Sequence, residues 1–166
     1  MPENQSVRAR RVRAKGSWFG LAVLLVLSPL LVPLLVVMAL AWITGAVALH
    51  LLTLILWLPV GRRVLFIYSN SPVWKTHIET EILPRLPPTA AVLNWSERSR
   101  WTSLSLAVLM FRFYGGSRQY NPLAIVIRPW RGPKLFRFWE AFRDFKHGKH
   151  DSLRSVEAAL FRAVSS

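Results

Sequence analysis

Two short polar clusters hold the side chains with which this chain could do chemistry: Ser69, Asn70 and Ser71 in one, and Asn94, Ser96, Glu97 and Arg98 in the other. Arg128 stands at a third such point. Each follows an apolar run (RVLFIYS at 63–69, AAVLNW at 90–95, NPLAIVIR at 121–128) of the kind that forms a buried strand. In open parallel sheets, ligands bind beyond the carboxyl ends of the strands, where the free N–H groups of helix N-termini favour anions. The pattern therefore describes a polar pocket in which Asn70 and Asn94 orient a ligand, Arg98 and Arg128 offset its negative charge, and Glu97 is the one nearby carboxylate. The competing account is turn and cap chemistry, because Asn and Ser favour such positions whatever the function.

Other chemistries find less support. No glycine-rich phosphate fingerprint follows the first strand, which weakens a dinucleotide assignment. Glu79 and Glu81 share one helix but at a spacing that does not bring them face to face, so a paired-carboxylate acid and base is not supported. The chain has no cysteine, which excludes disulfides, thiolate nucleophiles and Cys-ligated metals. Lys146, His147, Gly148, Lys149 and His150 form a basic loop, and two histidines without adjacent acids are weak grounds for a metal site. The string FRFWEAFRDF interleaves arginine with aromatics, as single-strand nucleic-acid surfaces do. Its helical spacing favours a core face first, a membrane-interface face second and nucleic acid last. No cofactor and no metal is assigned.

The elements that would position these residues alternate. After the first strand, Ser71 is a suitable N-cap and Pro72 a suitable first helical residue, with Trp74, Ile78 and Ile82 recurring every four positions. Pro84, Pro87 and Pro88 end that helix. Ser96 caps a second helix that carries Leu104, Ala107, Val108 and Phe111 on one face, and Gly115 and Gly116 supply a left-handed terminus. PWRGP reads as a turn. A helix then follows over 134–146, although KLFRFW alone fits a short strand, and a last helix opens at Asp151 or Ser152 with Leu153, Val156, Leu160 and Val164 on one side. Strand and helix in alternation imply right-handed crossovers. The fold class is α/β: a small Rossmann-like three-layer domain with a short parallel sheet.

Ahead of this domain, 46 residues from Gly16 to Gly61 contain no Asp, Glu, Lys or Arg. As helix they would reach roughly 70 Å, whereas a hydrocarbon core of about 30 Å takes about 20 residues. The length predicts two crossings, a transmembrane hairpin over 17–60 with legs at about 17–40 and 46–60 and Thr44–Gly45 as the turn. A re-entrant bend at Ser28, Pro29 and Pro33 is the alternative. A cleaved leader ending near Ala41 conflicts with the length of the apolar region. Arg8, Arg10, Arg11, Arg13 and Lys15 precede the run, in a basic tail over 1–16, and Arg62 and Arg63 follow it. Basic residues at both ends place both termini in the cytoplasm, with these seven at the membrane surface. Trp18, Trp42 and Trp57 suit interfacial positions, and His50 suits a neutral, helix-packed role.

The cytoplasmic domain, 61–166, carries 17 Lys and Arg against 7 Asp and Glu, a net charge of +10. Such an excess draws a domain toward anionic lipid head groups, nucleotides or other phosphate-bearing partners. The strings VLFIYSNSPVW, AVLNWSERSRW, NPLAIVIRPW and FRFWEAFRDFKHGK together resemble a family of small, uncharacterised bacterial membrane-anchored proteins, which implies an inner-membrane location and no particular activity. Tyr68, Ser69, Trp74, Leu83 and Pro84 are similar in arrangement to Toll/interleukin receptor-type domains. That resemblance implies shared topology only, because Asn94 to Arg100 stand where that family has its Arg-Asp and Pro-Gly loop, and no glutamate matches its NAD-cleaving residue. The expectation is a binding or regulatory module that engages a protein or an anionic ligand at the inner leaflet. The alternative is a membrane-bound enzyme acting on a nucleotide or a phosphorylated lipid through Asn70, Asn94, Glu97 and Arg98.

Overall fold

A computed structural model describes the backbone of residues 3–116, 120–129 and 131–165, and the side chains over those ranges apart from 3–27 and 30. Trp18 and the tail cations Arg8, Arg10, Arg11, Arg13 and Lys15 fall among the side chains outside that description.

The apolar run forms one helix, α1 (Glu3–Trp57), which contains Pro29 and Pro33 and passes without interruption through Thr44 and Gly45. This corrects the expected hairpin: the second leg is a continuation of the first. A single glycine costs a helix only about 1 kcal/mol relative to alanine, and the neighbours of Gly45 (Trp42, Ile43, Ala46 and Val47) include no turn-forming residue that would draw the chain out of helix. The chain divides into two compact units inside this helix, Met1–Gly45 and Ala46–Ser166. In the first, the large apolar side chains from Leu31 to Ile43 are exposed, as a lipid-facing helix requires.

In the second unit α1 is two-faced. Ala46, Leu49, His50, Thr53, Leu54 and Trp57 are buried or half-buried, while Val47, Leu51, Leu52, Ile55 and Leu56 are exposed. That alternation is the three-to-four-residue spacing of one helical stripe. Thr53, fully buried, donates its hydroxyl proton to the carbonyl of Leu49 at 2.7 Å. Pro59 ends the helix, and Gly61, at a φ of 70° that side chains disfavour, turns the chain so that the Arg62 amide bonds the carbonyl of Trp57 at 2.9 Å.

The sheet comprises β1 (Val64–Tyr68), β2 (Ala91–Asn94), β3 (Leu123–Arg128) and β4 (Arg131–Arg137), in the order β2-β1-β3-β4. Only β1 and β2 are parallel; β3 runs antiparallel to β1, and β4 antiparallel to β3. The expected parallel sheet is thus corrected to a mixed one. Leu123 opens β3 opposite Ile67, near the end of β1, and β2 closes at that same end. The segment from β2 to β3 therefore leaves and re-enters on one side and is no crossover. The fourth strand takes the residues expected to start a helix: KLFRFW follows its strand alternative, with Leu135 and Phe136 entering opposite cores.

Between β1 and β2 the helix starts later than Ser71–Pro72 suggests. α2 (Lys75–His77) has no side-chain cap at Trp74 and runs into a π-helical turn, Ile78–Ile82, and a 3-10 turn, Leu83–Arg85, which together bury Ile78 and Ile82. After β2 comes a 3-10 stretch, Trp95–Arg100, and then α3 (Leu106–Tyr114), capped by Ser105, whose hydroxyl accepts from the Val108 amide at 3.4 Å. Ser96 is therefore not the cap, and Leu104 lies outside the helix, 84% exposed. α4 (Trp139–Lys146) and α5 (Asp151–Ser165) complete the fold.

Helices cover both sheet faces. Val64, Phe66, Tyr68, Ala124, Val126 and Phe136 meet α4, α5 and the turn at Ile78–Ile82 in one core. Leu65, Ile67, Leu123, Ile125 and Ile127 meet Met110 and Phe111 of α3 and Trp57 of α1 in the other, with Leu49 and Leu54 against it. A large-to-small change at a buried aromatic costs about 3–5 kcal/mol, against about 0.5 kcal/mol for a surface change. In denaturant unfolding of the full chain in detergent micelles, Trp57→Ala is expected to destabilise by the first amount and Leu56→Ala by the second. Equal effects would mean that this stretch belongs to lipid alone.

Candidate functional site

The parallel register sets Tyr68 beside Asn94, so the residues that follow β1 and β2 do meet. Asn94 donates its side-chain amide to Asn70 Oδ1 at 2.8 Å and accepts the Ser96 amide on its own Oδ1 at 3.0 Å. Ser96 Oγ in turn accepts the Asn70 backbone amide at 2.9 Å. Ser69 Oγ accepts from the indole of Trp74 at 3.3 Å, and Ser71 Oγ from the Val73 amide at 3.4 Å. Arg98 lies over the Trp95 ring at 5.1 Å and donates to the Trp95 carbonyl at 3.4 Å, while Glu97 faces Arg100 at 4.0 Å. These groups are engaged with one another, the arrangement that turn and cap chemistry produces.

Arg128 is not among them. Because β3 is antiparallel to β1, its last residue lies at the end of the sheet where β1 begins, and the Ile127 amide bonds the Arg63 carbonyl at 2.8 Å. Arg128 there donates Nε and Nη2 to the Gly132 carbonyl at 3.1 and 2.9 Å. It lines a cleft of about 240 Å³ with Lys134, Ala159, Arg162 and Ala163. Neither Lys134 nor Arg162 is singled out by the sequence, because their meeting depends on the β3–β4 hairpin and on where α5 lies across it. The usable signal is the hairpin itself, two apolar runs separated by Pro129–Trp130 with basic residues on both sides.

Near the same strand edge, Arg62 donates Nε to the Thr89 carbonyl at 3.2 Å and lies 5.5 Å from the Trp57 ring centroid, while the Thr89 hydroxyl bonds the Gly61 carbonyl at 2.8 Å. Arg62 thus fastens the turn between α1 and β1 as well as adding charge.

Two further pairings escape sequence reasoning. His77 Nε2 and Glu157 Oε1 stand 2.6 Å apart, tying α2 to α5, with His77 edge-on to Phe142. The Tyr68 hydroxyl donates to Glu79 Oε1 at 3.0 Å. In the loop from Lys146 to His150, Gly148 takes a φ of 81° and His150 sits edge-on to Phe145. Of FRFWEAFRDF, Phe136, Phe138 and Phe142 are core and Arg143 lies over the Trp139 ring at 5.3 Å. Among the described residues no group of three or more His, Asp or Glu is placed to hold a metal. No protein-family model, curated protein or solved structure matches this chain.

Burial pushes the Tyr68 hydroxyl from 10.0 up to about 12, helped by its bond to Glu79 and by the charges of Glu79 and Glu97. A pKa higher in the folded than in the unfolded chain means that the neutral phenol is favoured on folding. That stabilisation is complete below pH 10 and is lost as pH rises through about 12. Absorbance titration should show a tyrosinate appearing near pH 12, its amplitude reduced by one tyrosine in Tyr68→Phe and its midpoint shifted down in Glu79→Gln; a titration unaltered by either change would refute the assignment.

Proposed function

We propose that this chain is a membrane-tethered α/β binding or regulatory module that engages an anionic ligand, or a protein presenting one, at the bilayer surface. The observation that carries the reading is the two-faced stretch Ala46–Trp57. Its inner face is core, and its outer face of Val47, Leu51, Leu52, Ile55 and Leu56 stays apolar and exposed, continuous with a helix, Leu31–Trp57, long and apolar enough to span. Contiguous apolar surface of this kind in a monomer marks an interaction site, and lipid is the occupant that continuity selects.

The same stretch changes the length arithmetic. With residues 46–57 committed to the domain, the apolar residues from Ser17 to Gly45 reach about 43 Å as helix, ample for one crossing and short of two. One crossing has five cations ahead of it, Arg8, Arg10, Arg11, Arg13 and Lys15, and two soon after it, Arg62 and Arg63. The larger group stays cytoplasmic, which puts the domain on the opposite side and lets it meet the leaflet it faces. A second reading keeps both termini cytoplasmic at the bacterial inner membrane. It needs lipid to bend the helix where Pro29 and Pro33 each remove a backbone donor.

Support for binding over catalysis comes from the strand ends, where Asn70, Asn94 and Ser96 satisfy one another and Glu97 faces Arg100. The enzyme alternative, action on a nucleotide or phosphorylated lipid through Asn70, Asn94, Glu97 and Arg98, predicts phosphate release by the purified full chain that Glu97→Ala and Arg98→Ala abolish. The binding reading predicts no release.

Location is tested on membranes from cells making the full chain. The protein should resist carbonate extraction, and a reporter at the carboxyl terminus should read the side opposite the amino terminus. Both reporters on the cytoplasmic side would restore the double crossing, and extraction by carbonate would end the tethered reading.

A further inference from the structure

The cleft between the β3–β4 hairpin and α5 gathers Arg128, Lys134 and Arg162, one cation from each of three elements, and no carboxylate among the described residues lines it. Among the described residues none of the three is ion-paired. Arg128 is held in place by its two bonds to the Gly132 carbonyl, which leave three of its five N–H groups for another acceptor. The ladder also sets Arg128 directly opposite Arg131, and like charges in that position repel. Ala159 and Ala163, one turn apart on α5, put only methyl groups into the wall between the cations.

Size and charge narrow the ligand. The cleft, about 240 Å³, is smaller than the pockets of roughly 300 Å³ and above that enclose drug-sized molecules, so it admits one small anionic group rather than a whole nucleotide. A carboxylate brings one charge and two oxygens to three cations. A phosphate monoester brings about −1.5 to −2 at neutral pH and three strong acceptor oxygens, and guanidinium groups match such oxygens in fork geometry. We infer that the cleft is a binding site for a phosphate monoester, with Arg128, Lys134 and Arg162 as its cationic partners. The inference rests on the reading that the domain engages an anion, and it names that anion's class and its place.

The monoester could belong to a soluble compound or to a lipid such as phosphatidic acid, and two arms separate these. Full-length protein in neutral detergent micelles is titrated with glycerol phosphate. The same protein in phosphatidylcholine nanodiscs, alone or with phosphatidic acid or the diester phosphatidylglycerol, is followed by phosphorus NMR line-broadening. Saturable binding in the first arm identifies a soluble ester, and binding confined to phosphatidic acid discs identifies a lipid.

In either arm Arg128→Gln with Arg162→Gln should weaken binding about tenfold or more, since hydrogen bonds to charged groups are the strong ones. Arg128→Lys with Arg162→Lys, which keeps the charge, should fall between. Arg112→Gln with Arg154→Gln, exposed positions away from the cleft, removes the same charge and should bind as the parent does. Circular dichroism of each variant separates misfolding from loss of the site, and the lysine pair serves if the glutamine pair unfolds. Equal weakening by both glutamine pairs, or none by the cleft pair, would overturn the site while leaving anion engagement standing. Failure of the parent to bind glycerol phosphate, phosphatidic acid and phosphatidylglycerol alike would remove both.

Discussion

Every residue of β1 from Val64 to Tyr68 is buried, and the rest of the architecture answers to that fact. A strand apolar on both faces needs a layer of apolar side chains above and below it. One layer comes from α4, α5 and the turn at Ile78–Ile82. On the other face α3 is only nine residues long, and the layer is completed by Leu49, Leu54 and Trp57 of α1. The helix long and apolar enough to span a membrane thus also closes the domain. Its surplus of apolar length, which suggests a second crossing, is what the sheet consumes.

The direction of β3 has consequences of a different kind. A third parallel strand would have put Arg128 beside Asn70 and Asn94, beneath helix N-termini, in the arrangement that serves ligand binding in open parallel sheets. Reversal sends it to the other end and leaves β4 to follow as a hairpin. The two ends of the sheet then differ in character. At one, amides and hydroxyls close on themselves through Asn70, Asn94 and Ser96. At the other, cations collect with no acid among the described residues lining their cleft.

What the sequence makes legible follows from how local each signal is. Three strands stand within a residue or two of their apolar runs, and α5 begins at Asp151 with Leu153 and Leu160 buried as its spacing requires. Those are short-range patterns. The hairpin of α1 is not there because Thr44–Gly45 is a weak breaker whose neighbours include no turn-forming residue. Ser105 rather than Ser96 caps α3, since aromatic packing of Trp95 and Trp101 on Phe111 holds the intervening residues in a 3-10 turn. The candidate site divides along the same line. Asn70, Asn94 and Ser96 meet because adjacent parallel strands bring their ends together, whereas Lys134 and Arg162 meet Arg128 only through strand reversal and helix placement, which no spacing in the chain encodes.

A cut between Leu58 and Arg63 has an outcome that differs from ordinary shedding. Most tethered domains, severed at the juxtamembrane link, float away intact. Here the severed portion leaves behind Trp57, Leu54 and Leu49, and with them part of the cover over Leu65, Ile67, Ile125 and Ile127. The liberated piece keeps α3 on that face but carries newly uncovered apolar side chains, the kind of surface that drives self-association. The exposed link therefore couples separation from α1 to loss of cover over the core.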